Sequence, residues 1–335
     1  MRALVHRGPM DLRLEKLAMP VAGLGETLVQ VKANGLCGSD LHLWHLERGP
    51  EVTAVLGHEI CGMVIKPDGT RTLAAIHGGD HCGACVHCDA GFSYYCRNGV
   101  RALGSTGSHP GLGGLAEFLV APSTNVIPVP HDLDPAIVTL AEPLANALRS
   151  LDRPEIREAA SLVVIGCGPL GLVHIAAAKH YGIKHVVAVE GRAKRAAAAL
   201  ALGADSVVDP ADDVARELAK RFPIGPDVIV EAAGLATTAY QAFTLVRPGG
   251  SVVLMGICGQ PFRINTFRWI AKELTIRTSI GTGLSEHQLA MDILASGAID
   301  TRSLITARVR LEDAAEAFAA LEAGADEIKV VVIHD

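Results

Sequence analysis

The chain has 335 residues, which at roughly 150 residues per domain allows two domains, each able to bury a sizeable core. Thirty Lys and Arg against 36 Asp and Glu leave a net charge of -6, which excludes the clustered basic surface that nucleic acids and anionic membranes demand. With 35 Gly, 17 Pro and 4% aromatics, the composition is that of a turn-rich globular protein. Near the N-terminus, Arg7, Asp11, Arg13, Glu15 and Lys16 interrupt any signal-peptide core, so a cytoplasmic location is expected. Up to about residue 150 the pattern is short, β-rich and broken by Gly and Pro, with residues 27–32 alternating as a strand does. Residues 159–178 are the most apolar stretch, but Gly166-Cys167-Gly168-Pro169 breaks them, so they read as strand, turn and helix rather than a membrane span. Apolar strands at 161–165, 185–189, 206–208, 227–230 and 251–255 then alternate with Ala-rich helices, the pattern of a doubly wound parallel sheet. A strand at 308–310, a helix at 314–321 and a strand at 329–332 close the chain.

Four of the eight cysteines fall in Cys82-x2-Cys85-x2-Cys88-x7-Cys96, a spacing that wraps one tetrahedral Zn2+ and leaves no open position, as a structural site does. Free thiols or an adventitious disulfide are the plain alternative, and His81 and His87 are read as bystanders. Gly166-x-Gly168-x-x-Gly171 follows an apolar strand and opens a helix, where it permits a tight turn, close approach of a pyrophosphate and close helix packing. Glu190 ends the next strand, where an acidic side chain accepts the adenosine ribose hydroxyls and disfavours a 2'-phosphate, while Arg192 and Arg195 offer such a phosphate a partner. NAD is therefore expected, with NADP open. The remaining candidates are dispersed through 35–42, Gly57-His58-Glu59 and Glu142; Cys, His and Glu are all competent zinc ligands, though each also has an ordinary structural reading.

With these features in this order, the chain resembles the zinc-dependent medium-chain alcohol dehydrogenases. Segments 35–42, Gly57-His58-Glu59, the four-cysteine loop, Gly113-Gly114-Leu115-Ala116-Glu117-Phe118, the glycine turn, Arg247-Pro248-Gly249-Gly250 and Lys329-Val330-Val331 carry the resemblance over nearly the full length. It implies an α/β protein in which a doubly wound Rossmann domain, 151–287, interrupts a β-rich chaperonin-like (GroES-like) catalytic domain, 1–150 and 288–335. Cys37 and His58 are then ligands of a catalytic zinc, with Glu59 a ligand or a near neighbour that exchanges with water. Glu142 stands where oxidisers of simple alcohols carry Cys, as in the polyol, glucose and threonine branches, and binds the metal directly or through water. Ser39 and His42 take the positions of the family's proton relay, with the proton passing through the ribose. The backbone from Gly166 through Gly168, Pro169 and Leu170 to Gly171, with Glu190, Arg192 and Arg195, holds the dinucleotide.

The activity implied is hydride transfer between NAD and a secondary alcohol of a polyol, sugar, cyclitol or hydroxy amino acid, giving the ketone, in a homodimer or homotetramer. An NADP-dependent ketone reductase and a catalytically silent dinucleotide sensor are the alternatives. Two departures from the family pattern carry their own expectations. Between Gly62 and Cys82 the usual strand and proline turn are not evident, so a locally shortened barrel is expected. The loop at 44–53, with Trp44, His45, Glu47 and Arg48, is expected either to bind substrate hydroxyls or a charged group or to be a solvated surface.

Overall fold

The computed structural model describes residues 1–47, 54–66, 69–79, 82, 84–90, 92, 95–96 and 113–334. They form two compact units: Met1–Glu142 with Gly281–Gly297 and Ile305–Asp335, and Pro143–Ile280 with Ala298–Leu304. The changeovers differ from the expected 150/151 and 287/288. Helix Ala141–Leu151 turns its length to the second unit, where Ser150 Oγ lies 2.8 Å from His174 Nε2. Residues 281–297 join the first unit, where the Thr282 carbonyl is 3.0 Å from the buried His77 ring.

The first unit is built on mainly antiparallel strands, with one parallel pair, Ile305–Arg310 beside Lys329–Ile333. Ile305–Arg310, Lys329–Ile333, Glu26–Gly35, Glu59–Ile65, Arg71–Ile76 and Val126–Pro128 lie side by side in that order, and Phe118–Pro122 pairs with Glu26–Gly35. A smaller sheet joins Arg2–Gly8 to Asp11–Lys16 and to Ala54–Val55. The strand not evident in the sequence is present: Arg71–Ile76 pairs antiparallel with residues 60–65. The cause is local turn chemistry. The Lys66 N–H donates to the Thr70 carbonyl, the Gly69 N–H donates to the Lys66 carbonyl, and Gly69 takes a φ of +82° that a side chain would oppose. Pro67 and Asp68 lie outside the described residues.

Leu4, Leu36, Leu56, Leu115, Phe318 and Val332 meet in one buried cluster, so the N-terminal strand, the end of the long central strand and the last strand share a core. Each such side chain contributes about 1.5–3 kcal/mol on burial.

The second unit is a parallel sheet in the order Ser206–Val208, His185–Val189, Ser161–Ile165, Val228–Glu231, Ser251–Leu254, Thr275–Thr278. Its central strands are buried along their length, which is why they read as unbroken apolar runs. The order reverses direction between Ser161–Ile165 and Val228–Glu231, so the loop after the first strand lies at the switch point where such sheets bind ligands. Helix Pro169–His180 starts there with proline in its first turn and buries residues on all sides, hence a sequence without a polar face. Among the described residues no helix is long and apolar enough to cross a membrane.

Candidate metal and dinucleotide sites

The four-cysteine loop carries its own test of fit. Cys85 precedes the short helix Val86–Asp89, its Sγ lies 3.6 Å from Cys88 Sγ and 3.8 Å from Cys96 Sγ, and the Cys82 N–H donates to Cys96 Sγ at 3.3 Å. All four sulfurs lie within 4.8 Å of one another. Four thiolates bound to zinc at about 2.3 Å form a tetrahedron with edges of about 3.8 Å, whereas a disulfide draws two sulfurs to about 2.05 Å. These spacings fit a metal and not a disulfide. His81 lies outside the described residues, and His87 faces the Tyr95 ring at 6.4 Å.

The second cluster grows from one buried carboxylate. Strand Glu26–Gly35 ends just before Cys37, which caps helix Gly38–Trp44 in an extended conformation. Asp40, wholly buried in that helix, accepts the Cys37 N–H at 3.0 Å through Oδ2 and the Gly57 N–H at 3.2 Å through Oδ1. The same Oδ1 lies 3.3 Å from His58 Nδ1, so one side chain fixes both chain segments and the histidine ring. Gly57 permits this with a φ of +97°, packed so close to Asn34 that a side chain would collide. With Nδ1 turned to Asp40, His58 presents Nε2 to the cluster, 3.4 Å from Ser39 Oγ. Burial disfavours a charged ring, but Asp40, with Cys37 adding, holds the imidazole well above its ordinary value. It is a site that attracts a cation.

Cys37, His58 and Glu59 bring one ligand atom each within 4.8 Å of the others. Glu59 is fully buried, and burial pushes its carboxyl up against the pull of Lys329. Its Oε2 touches the Lys329 ammonium at 2.5 Å but accepts no aligned hydrogen bond, so a lone pair is left that a metal can satisfy. Gly35 leaves room for it; a methyl group there would overlap Glu59 Oε2. The set of thiolate, imidazole and carboxylate suits zinc. Glu142, in the first turn of helix Ala141–Leu151, acts on both Glu59 and Lys329 electrostatically but is not in the 4.8 Å set. Ser39 stands beside His58, whereas His42 is exposed one turn further along the helix, and among the described residues no hydrogen bond joins the two.

Of the 44–53 loop, residues 44–47 are described. Trp44 is the last residue of its helix and is buried edge-on against Phe318 at 5.6 Å, and His45 Nε2 pairs with Glu322 at 3.0 Å. Both are tied into the fold rather than offered to a ligand. Glu47 is exposed, and residues 48–53 lie outside the described residues.

In the second unit, Gly166 takes a φ of +90° with Ala233 so close that a Cβ would lie 2.8 Å from its backbone, and a Cβ on Gly171 would collide with the Gly166 carbonyl. Nothing lies within 4 Å of where a Gly168 Cβ would stand, so the helix N-terminus opens onto free space. Pro169 and Leu170 begin that helix. Glu190 accepts the Cys167 N–H through Oε2 and the Arg192 N–H through Oε1, both at 2.8 Å. Each oxygen keeps a lone pair for a ribose hydroxyl. The Cys167 thiol is pushed up to about 12 by burial and by Glu190, with Arg195 acting in opposition, which places both charged side chains near the turn.

Sequence reasoning missed Asp40, and it also missed Glu231. Glu231 ends the strand across the switch point, and its Oε1 accepts the Ala233 N–H, the Gly234 N–H and the Thr238 hydroxyl at 2.9, 2.9 and 2.8 Å. It sets the shape of the loop packed on Gly166. An acidic residue at the C-terminal end of a strand in this sheet was the available signal.

A dinucleotide-binding sheet and a β-rich unit carrying Cys-His-Glu and four-cysteine clusters together define a metal-dependent oxidoreductase. Comparison with known proteins agrees. Residues 23–131 match the alcohol dehydrogenase GroES-like domain and residues 169–296 the zinc-binding dehydrogenase family. The chain is 30% identical to an L-threonine 3-dehydrogenase of Rhizobium rhizogenes over 97% of this chain and 96% of that one. Among solved structures it is similar to a zinc-binding dehydrogenase of Sinorhizobium meliloti bound to NADP, with 31% identity, a TM-score of 0.90 and 99% of each chain covered. It is also similar to the L-idonate 5-dehydrogenase of Escherichia coli, with 25% identity, a TM-score of 0.89 and 99% and 98% covered. The chain belongs to the zinc-dependent medium-chain alcohol dehydrogenase family, on its polyol and threonine dehydrogenase branch. It is an enzyme of alcohol oxidation and carbonyl reduction.

Proposed function

We propose that the protein transfers a hydride between NAD and a secondary alcohol of a polyol, sugar, cyclitol or hydroxy amino acid, giving the ketone. The observation that carries this reading is the convergence of Cys37, His58 and Glu59 within 4.8 Å, with Glu142 acting on the same cluster, in a chain that also holds the glycine turn. A carboxylate at Glu142 makes the metal's surroundings harder than a second thiolate would and suits substrates with several oxygens. The relatives that act on threonine and idonate support the same class.

With zinc and the dinucleotide bound, the site would gain a Lewis acid for the substrate oxygen and an acceptor for the hydride. Cys37 Sγ and His58 Nε2 would hold the metal, and Glu59 and Glu142 are the carboxylates that would ligate it or stand beside it. Asp40 keeps the His58 ring in orientation and its Nδ1 proton in place. Ser39 Oγ takes the hydroxyl proton and would pass it through a bound cofactor's ribose toward His42, since among the described residues the two side chains are not themselves joined. The Gly166–Gly171 backbone cradles the pyrophosphate, while Pro169 and Leu170 start the helix that faces it. Glu190 accepts the ribose hydroxyls. Cys82, Cys85, Cys88 and Cys96 hold a structural zinc. The domain assignment follows the same reading: a GroES-like catalytic domain, interrupted in sequence by a Rossmann domain.

One observation favours NADP as a second reading. Arg192 and Arg195 follow Glu190 directly, and the Sinorhizobium meliloti relative was solved with NADP. We also infer a homodimer or homotetramer in the cytoplasm. Phe267 and Ile270 are each 72% exposed beside the edge strand Thr275–Thr278, a surface that calls for a partner. The test is reduced-nicotinamide formation by zinc-replete protein with NAD and NADP in parallel, against polyols, sugars, cyclitols, threonine and simple secondary alcohols. Turnover that prefers NAD and a polyhydroxylated substrate and is lost with a chelator supports the proposal. Turnover confined to simple alcohols, or indifferent to metal removal, overturns it.

A further inference from the structure

One buried charge beside the metal cluster has no part in the chemistry above. Lys329 opens the last strand, which lies between Ile305–Arg310 and Glu26–Gly35. Its side chain is 1% exposed, and Nζ donates to the Leu36 carbonyl at 2.9 Å and to Glu59 Oε1 at 2.5 Å. Nζ is also 2.5 Å from Glu59 Oε2, yet only Oε1 is aligned to accept. An ammonium is retained in such a place only by anions. Three act on it: Glu59, Cys37 and Glu142.

Glu59 is therefore contested. One of its oxygens is within ligand reach of Cys37 and His58, and the same carboxylate is the counter-ion of Lys329. A thiolate and two carboxylates carry three negative charges, which a divalent metal and one ammonium balance. A metal that takes Glu59 fully leaves Lys329 without its partner, and a lysine that keeps Glu59 leaves one place on the metal open for substrate.

We propose that Lys329 is a positioning residue that competes with the metal for Glu59 and holds this carboxylate beside the metal rather than on it. The inference rests on the proposed metal role of Cys37 and His58. Removing the ammonium leaves Glu59 a buried carboxylate whose nearest cation is the metal. It then closes the open place, slows metal release and raises KM for the alcohol more than it lowers kcat.

The test uses the full-length protein with Co2+ exchanged for zinc, in wild type, Lys329→Met, Lys329→Arg and the double variant Lys329→Met/Glu59→Gln. The visible absorption of cobalt reports coordination number, and transfer of metal to a chromophoric chelator reports release. Lys329→Met is expected to weaken the cobalt ligand-field bands, as higher coordination does, and to slow release about tenfold, the scale on which neighbouring groups tune metal affinity. Lys329→Arg is expected to keep the wild-type spectrum, and the double variant to return to it. An unchanged spectrum and release rate in folded Lys329→Met overturns the proposal, as do changes that persist in the double variant. Where Lys329→Met fails to fold, the double variant, which removes both charges of the pair, decides alone. A wild-type-like spectrum there upholds the proposal; a lost ligand and faster release show that Glu59 already sat on the metal. Failure of the metal reading is distinguishable, because a Cys37→Ser control would then leave the thiolate-to-cobalt band of the wild type unchanged.

Discussion

Asp40→Asn is the sharpest probe of how the Cys37 and His58 segments are held together. In the wild type one wholly buried carboxylate accepts from the Cys37 N–H and the Gly57 N–H and faces His58 Nδ1. An asparagine of the same shape keeps an acceptor at only one of its two positions. If its oxygen serves Gly57 and His58, its amide opposes the Cys37 N–H; if turned over, it opposes two donors instead. The better orientation still loses one hydrogen bond to a charged group, about 1.5–3 kcal/mol, and the negative charge behind the imidazole. Because the lost contacts orient both proposed metal ligands, most of that cost falls on metal binding, an expected ten- to hundredfold weakening. Competition with a chelator of known affinity, read separately for the metal lost first and the metal retained by the four-cysteine loop, measures it. Denaturant melts of the metal-free protein give the part that is folding alone. Wild-type metal affinity in Asp40→Asn, or a loss confined to the four-cysteine metal, would refute the reasoning.

Other perturbations separate the two units. Gly171→Ala places a methyl group against the Gly166 carbonyl, so NAD affinity measured by nucleotide fluorescence should fall more than tenfold while zinc content per chain is unchanged. Gly35→Ala, which overlaps Glu59, should do the reverse: loss of one zinc by elemental analysis, with NAD affinity kept. The pH dependence of folding should carry the mark of His174, whose ring burial pushes down to about 4. Its folded pKa is below the unfolded value near 6.5, so its contribution is complete above pH 6.5 and is lost as pH falls toward 4. The loss is about 3 kcal/mol. Urea melts across that range should show a shallower decline in His174→Leu than in wild type.

Contiguous features were legible in the sequence and distributed ones were not. The glycine turn and the four-cysteine loop are each coded within a few residues, so spacing alone exposes them, and the alternation of apolar strands with Ala-rich helices gave the parallel sheet. Cys37, His58 and Glu59 could be named one by one, but their approach depends on Asp40 binding two distant backbone amides, and no spacing encodes that. An Asp in the first turn of a helix reads equally as a cap. Lys329 reads as a charged start to an apolar strand until the strand is inserted beside Glu26–Gly35 and its ammonium meets Glu59. The two readings of Trp44 and His45 stay open for the same reason: their partners, Phe318 and Glu322, are distant in sequence. The hairpin at 60–76 is not evident in sequence because its turn stands around Gly69, well before the first thiol, and rests on backbone hydrogen bonds between Lys66 and Thr70.

The insertion of the last strand sets an order on how the protein comes into being. Glu26–Gly35 leaves the ribosome long before its neighbour Lys329–Ile333 is made. The parallel sheet, whose strands lie between residues 161 and 278, is complete in sequence before then and is free to fold as the chain emerges. The metal-binding unit must wait with part of one flank of its central strand unpaired until Lys329–Ile333 emerges. A break in the chain anywhere between residues 305 and 328 would leave every strand of the parallel sheet in place and sever the ammonium that meets Glu59, so nucleotide binding should outlast an ordered metal cluster.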